Sequence, residues 1–327
     1  MVLISSGAAC LDDQTVIRRL EIKKKDWVCM KKVLFIVNPK SGKGTIRTQL
    51  LDIVDIFNKN QMDVTVYITQ GRRDARRIAM ESAEDYELVV CSGGDGTLNE
   101  VIGGVMEGGY GTPVGYIPAG STNDFANSLG LPRRAREAAR VVAAGTLFNC
   151  DMGGFNQSYF IYIAAFGLFT DVAYQTNQDA KNVLGHMAYL FEGAKRLFSV
   201  KSYHMLIRTR DHEIEGDFIY GMITNSKSVG GFKKITGKDV FLDDGMFEVT
   251  MIHMPFNALE LQDILTNLIT GELKSSHIET FKSDYVELIS KEPVPWTLDG
   301  EDGGCHEKVE IMNHQQAIPI VVKKEQK

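Results

Sequence analysis

The sequence predicts a doubly wound, three-layer α/β domain followed by a mostly antiparallel β-sandwich domain, and three observations carry that expectation. From Val33 to about Ala144, short apolar β-favouring runs alternate with amphipathic helical patterns, as consecutive βα units of a parallel sheet require. Inside that region, CSGGDGTLNEV, Cys91 to Val101, joins a buried-strand signal to a helix start through a turn almost without side chains. Beyond residues 145–150 the pattern changes to short alternating runs, the period of half-buried strands. The expected division is a nucleotide-binding domain over 30–147 and a sandwich domain over 148–327.

Val33 to Val37 is a continuous β-favouring run and NPKSGKGT follows it as a turn. Ile46 to Asn58 carries Ile46, Leu50, Ile53, Val54 and Phe57 on one helical face. The GKGT in the turn is not a P-loop, which needs GK followed directly by Ser or Thr and a glycine five residues before the second one. Asn38, Ser41 and Gly42 nevertheless sit at the C-terminal end of a strand, where open α/β sheets bind ligands, although a plain βα turn would also look like this. Val64 to Thr69 is the next strand, and GRRDARR opens a helix to about Ser82. Arg72, Arg73, Arg76 and Arg77 could face phosphates or a membrane; a solvated helix face is the preferred reading. A strand over 88–91 leads to the glycine turn and a helix over 97–107, and VGYIPAGSTNDFANSLGL from Val114 repeats the scheme.

After a helix around Ala135 to Ala144, strands are expected at Phe148–Met152, Tyr159–Ala164, His204–Thr209, Phe218–Thr224, Gly245–His253, Tyr285–Ser290 and Val309–Met312. Helical patterns interrupt them at about 183–198 and 257–270. The last strand-like stretch, Ala317 to Val322, could return to either domain. Met30 followed by two lysines and a strand resembles a natural start, so residues 1–29 are expected to be a disordered extension with little role in the fold.

The glycine turn reads as a phosphate cradle. Gly93, Gly94 and Gly96 let backbone N–H groups approach an anion with no Cβ in the way. Thr97 and Glu100 form a T-x-x-E pattern, a capping box that would aim a helix N-terminus at the same place. Asp95 is the odd member, since a carboxylate among phosphate-binding glycines repels the ligand unless a cation such as Mg²⁺ lies between them.

The formal net charge of −6 leaves no surplus of Lys and Arg for a general nucleic-acid binder. Cys10, Cys29, Cys91, Cys150 and Cys305 show neither C-x-x-C pairs nor zinc spacing, which fits free thiols in a reducing cytosol. No apolar run approaches the ~20 residues that span a bilayer. The histidines are dispersed, and there is no catalytic Ser-His-Asp signature.

GGDGT resembles the nucleotide-phosphate motif of diacylglycerol kinases, sphingosine kinases, NAD kinases and 6-phosphofructokinases. Joined with IPAGSTNDF (Ile117 to Phe125), LDDGMFEV (Leu242 to Val249) and LDGE (Leu298 to Glu301), the chain resembles the soluble bacterial diacylglycerol kinase family from about Met30 to Val322. That resemblance implies an ATP- and Mg²⁺-dependent lipid kinase. It implies that Asn38, Pro39, Lys40, Ser41, Gly42, Thr69, Gly93, Gly94, Asp95, Gly96, Thr97, Leu98 and Ser121 surround ATP. Asp95 and Asp124 match carboxylates near the phosphates and the catalytic metal, although Asp124 would also suit a simple helix cap. Glu301 matches the general base. Asp244, with the carbonyls of Phe241 and Met246, matches a structural Mg²⁺ site, to which Asp151 is linked through water; Asp243 and Asp244 would also suit a bare β-turn.

The implied acceptor is diacylglycerol, with another lipid, a sphingoid base or NAD as alternatives; a non-catalytic nucleotide-binding regulator is the rival class. A lipid acceptor without a membrane span implies a cytoplasmic protein that docks transiently on the inner membrane face. Lys195–Lys201 and Phe232–Lys234 are candidate contacts, since each cation near anionic headgroups contributes roughly 1 kcal/mol. Pairing of two molecules through exposed strand edges is left open.

Overall fold

The computed structural model describes residues 30–42, 44–168, 201–230, 236 and 239–324. The 1–29 extension, the helix expected over 183–198, the Phe232–Lys234 stretch and all but the last residue of Lys195–Lys201 lie outside them.

The first half is a parallel sheet between two helical layers. Its strands are β1 (Lys31–Val37), β2 (Met62–Ile68), β3 (Leu88–Gly93) and β4 (Val114–Pro118), in spatial order β2-β1-β3-β4 and all parallel. Helix α1 (Ile46–Lys59) follows β1, α2 (Asp74–Ser82) follows β2 and α3 (Asp95–Gly108) follows β3. After β4 come the short α4 (Asp124–Ser128) and α5 (Ala135–Ala144). The strands are apolar on both faces because both are covered. Val33, Phe35 and Val37 pack with Ile53 and Phe57 of α1 and Ala138 and Val142 of α5. Leu34, Ile36 and Val89 pack with Ala75 and Ala79 of α2 and Val101 and Val105 of α3. The strand order reverses direction between β1 and β3, so the loops leaving their C-terminal ends diverge and open a crevice there.

The second half is antiparallel. It contains β5 (Thr146–Phe155), β6 (Ser158–Phe160), β7 (Ile163–Gly167), β8 (Tyr203–Arg208), β9 (Glu213–Thr224), β10 (Phe247–His253), β11 (Ile278–Ser283), β12 (Tyr285–Leu298) and β13 (Glu301–Val322), with α6 (Ala258–Thr270) between β10 and β11. β7 and β8 lie end to end in one row, both between β9 and β12. This layer closes over Phe155, Phe160, Phe166, Phe218, Phe247 and Trp296, with the Trp296 ring 5.2 Å from Phe155 and 4.9 Å from Phe166.

One strand ties the halves together. β13 runs for 22 residues, pairing with β12 over its first half and with β5 over its second, and Ile320 sits in parallel register with Val114 of β4. The expected strands Val309–Met312 and Ala317–Val322 are therefore one continuous element. A bulge between His314 and Ile318, with Gln316 at φ 52°, interrupts the alternation that would have joined them. Other elements also differ from expectation: the stretch Tyr159–Ala164 splits into β6 and β7, β5 extends to Phe155, β9 starts at Glu213, β10 starts at Phe247 after the turn at Gly245 (φ 77°), β12 runs on to Leu298, and β11 is a strand that the sequence did not predict.

Candidate active site

The crevice at the ends of β1 and β3 gathers the glycine turn and the Asn38 loop. Asn38 N–H donates to Ser92 O (2.8 Å), and its Nδ2 donates to Thr97 Oγ1 (2.9 Å), so the loop is stitched to both β3 and α3. Lys40 N–H donates to Asn38 Oδ1 (3.0 Å), and the Pro39 carbonyl accepts from Arg47 Nε (3.1 Å). Gly94 N–H points to Ser41 Oγ at 3.3 Å. Gly42 has φ 54°, and a Cβ there would stand 2.3 Å from Ala119 O. The same crowding recurs at Gly120, where a Cβ would lie 2.7 Å from Gly94 Cα. Three backbone segments thus meet at a distance only glycine permits, at the N-terminus of α3, whose first-turn N–H groups have no partner within the helix.

Helix α3 begins at Asp95, two residues earlier than expected, with Gly94 as N-cap and no side-chain cap. The capping box does not form because both of its members are used elsewhere. Thr97 accepts from Asn38, and Glu100 accepts from Arg73 N–H (2.7 Å) and Ala75 N–H (3.2 Å), fastening the loop before α2 to α3.

Asp95 instead caps its neighbour. Its carboxylate accepts from Asp124 N–H (3.1 Å) and Phe125 N–H (3.3 Å) at the start of α4. Asp124, 1% exposed, accepts from Ser228 Oγ at 2.6 Å. Burial first, and the Asp124 charge second, push the Asp95 carboxyl up to about 6, against the two N–H bonds that favour its charged form. Two adjoining carboxylates in a desolvated site, beside a cradle of backbone amides, fit a cation such as Mg²⁺. Among the described residues no three His, Cys, Asp or Glu side chains converge as a metal-binding group, so the remaining ligands would be phosphate oxygens and water, as is usual for Mg²⁺.

Glu301 comes from the far end of the chain and closes the site. A Cβ on Gly96 would lie 3.3 Å from Glu301 Oε1, which places the carboxylate against the first turn of α3. Glu301 Oε2 accepts from Arg72 Nη2 at 2.7 Å, with side chains 56% and 70% exposed, a pair worth only about 0–1 kcal/mol in itself. The tip that carries Glu301 is held by Asp299, a residue to which the sequence assigned no role. Asp299 is 5% exposed, has φ 51°, and accepts from the N–H groups of Ile161 (2.7 Å), Tyr162 (2.9 Å) and Ile163 (3.0 Å). Its fourth partner is Asn99 Nδ2 of α3, at 2.5 Å. Helix α3 and the hairpin that carries Glu301 are thereby bonded to each other. The signal lay in LDGE itself, an Asp two residues before Glu301.

Of the other residues matched to ATP, Thr69 is buried beside β1, its N–H donating to Val37 O (3.0 Å); Leu98 is core; and Ser121 is exposed in the turn before α4. The DDG turn has a different set of partners. Asp244 Oδ1 accepts from Met246 N–H (3.0 Å), and Oδ2 stands 3.3 Å from Lys282 Nζ. Lys282 also donates to Asp239 O (2.8 Å), lies 3.1 Å from Glu248 Oε1 and sits over the exposed Phe241 ring. Burial pushes the Glu248 carboxyl up to about 7 despite that ammonium. One carboxylate and nearby carbonyls around a tight turn suit a hard cation, which would share Asp244 with Lys282. Asp151, fully buried, accepts from Gly245 N–H (2.6 Å) and from Gln316 N–H (2.7 Å) at the β13 bulge, so it holds the turn directly through its backbone. The buried residues Asn225, Ser226 and Ser228 run between the two places: Asn225 Nδ2 donates to Asp151 O (3.0 Å), and Ser228 reaches Asp124.

A glycine-lined crevice at a topological switch point, two adjoining carboxylates beside it and a third carboxylate delivered by the antiparallel half fit a phosphotransferase of two-domain design. The comparisons with known proteins agree. Residues 32–155 match the diacylglycerol kinase catalytic domain, and residues 164–321 match the YegS C-terminal NAD kinase beta sandwich-like domain. A diacylglycerol kinase of Bacillus subtilis (strain 168) is 33% identical over 299 residues, covering 90% of this chain and 98% of its own. One from Staphylococcus carnosus (strain TM300) is 32% identical over 299 residues, covering 91% and 97%. The fold matches a solved diacylglycerol kinase structure from Bacillus anthracis str. Sterne with a TM-score of 0.71 at 21% identity, over 90% of this chain and 98% of that one. The chain belongs to the diacylglycerol kinase family of lipid kinases.

Proposed function

We propose that this protein transfers the terminal phosphoryl group of ATP to the free hydroxyl of diacylglycerol, giving phosphatidic acid in a Mg²⁺-dependent reaction. The observation that carries the reading is the Glu301 carboxylate resting against Gly96 of the phosphate cradle. A lipid hydroxyl is a poor nucleophile at neutral pH, and an exposed carboxylate beside the phosphates can take its proton. Asn38–Gly42, Thr69, Gly93–Leu98 and Ser121 form the nucleotide side. Asp95 and Asp124 would hold the Mg²⁺, which neutralises phosphate charge when bound. Asp299 acts through Glu301 by fixing the hairpin against Asn99.

The names of the relatives support diacylglycerol as the acceptor. A membrane lipid as acceptor also implies work at a bilayer surface on the cytoplasmic side, with transient docking. No described helix is long and apolar enough to cross a membrane. At the DDG turn, Asp244 with the Phe241 and Met246 carbonyls is proposed to hold a second, structural Mg²⁺, with Asp151 bracing the turn.

Glu301→Gln tests the assignment of the base. Nucleotide binding should survive while turnover falls by the ~10²- to 10⁴-fold expected from losing a general base. Near-normal turnover would remove Glu301 from the chemistry, and with it the placement of the acceptor beside Gly96.

A further inference from the structure

Four arginines cluster at the start of α2, Arg72 and Arg73 just before it and Arg76 and Arg77 within it, and the latter two serve the scaffold. Arg76 pairs with Glu107, and Arg77 bonds Asp74, Glu81 and the Tyr67 hydroxyl. Arg72 is placed differently. It precedes α2, in a loop that Glu100 fastens to α3 through the N–H groups of Arg73 and Ala75, and Arg73 turns the chain there with φ 63°. The Arg72 guanidinium consequently reaches across the mouth of the cradle to Glu301, whose other oxygen lies against Gly96.

We propose that Arg72 is a ligand of the terminal phosphate, parked on Glu301 in the free protein and drawn onto the phosphate when a nucleoside triphosphate fills the cradle; this rests on the kinase reading above. The charge inventory favours it. Asp95, Asp124 and Glu301 already make the mouth acidic, and a triphosphate adds several negative charges. A guanidinium presents five N–H donors in a planar fork that matches phosphate oxygens, and only Nη2 donates to Glu301 here. Both side chains are more than half exposed, so water screens the pair and it can be exchanged for a more highly charged partner.

The move serves the transfer twice. The acceptor oxygen forms its bond to the terminal phosphorus as the bond to the bridging oxygen breaks. The nucleoside diphosphate leaves with that electron pair, and the hydroxyl proton goes to Glu301. Arg72 on the phosphate neutralises charge on the oxygens that are not exchanged. By leaving Glu301 it also uncovers the carboxylate oxygen that receives the proton.

The test compares direct binding of a non-hydrolysable ATP analogue and of ADP, both with Mg²⁺, to the full-length wild type, Arg72→Ala, Arg72→Lys and Glu301→Gln. Arg72→Ala should weaken the triphosphate by about 10-fold and leave ADP within about 2-fold. Its turnover should fall by roughly 10²- to 10³-fold with the acceptor KM unchanged. Arg72→Lys keeps the charge and loses the fork, so it should recover part of both. Glu301→Gln removes the resting partner and should tighten the triphosphate and not ADP. Unchanged triphosphate affinity in Arg72→Ala, or an equal loss for both nucleotides, overturns the role of Arg72 alone. A wild type that binds neither nucleotide overturns the kinase reading itself.

Discussion

Replacing Asp95 with Asn should make the ligand-free protein more stable at neutral pH while disabling it. The Asp95 carboxyl is pushed from an ordinary 3.8 to about 6, mainly by burial and then by Asp124. A carboxyl whose folded value is raised binds its proton more readily in the native state. The native state is therefore penalised as pH rises from about 4, and the penalty is complete above about 6. Its size at pH 7.5 is about 3 kcal/mol. Asn removes the charge but offers one oxygen where the carboxylate offered two to Asp124 N–H and Phe125 N–H. One lost bond of that kind costs about 1–1.5 kcal/mol. The balance is a gain of roughly 1.5–2 kcal/mol, or about 2–3 °C in melting temperature for a chain of this size. At pH 4.5 only about 1 kcal/mol of the wild-type charge penalty remains, which roughly offsets the lost bond, so the difference between the two proteins should nearly vanish. Thermal unfolding of both proteins without nucleotide or Mg²⁺, at pH 7.5 and 4.5, reads this directly. An Asp95→Asn protein that melts lower than wild type at pH 7.5 would refute the reasoning. At the same pH the variant should show little Mg²⁺-dependent nucleotide binding.

Asp299→Ala leaves three buried backbone N–H groups and Asn99 without their acceptor and should destabilise by about 3–5 kcal/mol, measured by denaturant unfolding. Asp299→Asn should fold better and still lose turnover with nucleotide affinity retained, because Glu301 is no longer held. Asp244→Ala should lower the melting temperature and abolish its rise with added Mg²⁺, since an ion bound only by the native state stabilises it; Asp243→Ala should keep both. Gly42→Ala forces a Cβ within 2.3 Å of Ala119 O at a left-handed φ, and nucleotide titration should show at least a tenfold loss of affinity, about 1.4 kcal/mol.

What the sequence revealed followed the range of the interactions involved. β1 and β3 are buried on both faces, so each reads as an unbroken apolar run. Gly93, Gly94, Asp95 and Gly96 are consecutive, and the strand-to-helix turn they make could be read from that stretch alone. Partners brought together by folding could not. Arg72 and Glu301 are 229 residues apart, Asn99 and Asp299 are 200 apart, and Asp124 and Ser228 are 104 apart. Local rules failed where a distant partner won: Glu100 fits a capping box by spacing, but two unpaired N–H groups at the foot of α2 claim its carboxylate. Arg72 has the spacing of a helix-face residue and in fact belongs to the loop before α2. β13 was read in fragments because its bulge at Gln316, fixed by Asp151, breaks the alternation on which strand recognition depends.

The central claim is tested most directly by supplying the purified protein with labelled ATP and Mg²⁺ and, in separate reactions, diacylglycerol in mixed micelles, a sphingoid base and NAD. Label should pass into phosphatidic acid in the first reaction, stop when Mg²⁺ is chelated, and stay at background in the other two. Preferential labelling of the sphingoid base or NAD would contradict the acceptor, and no transfer to any of the three by a folded, nucleotide-binding protein would contradict the kinase.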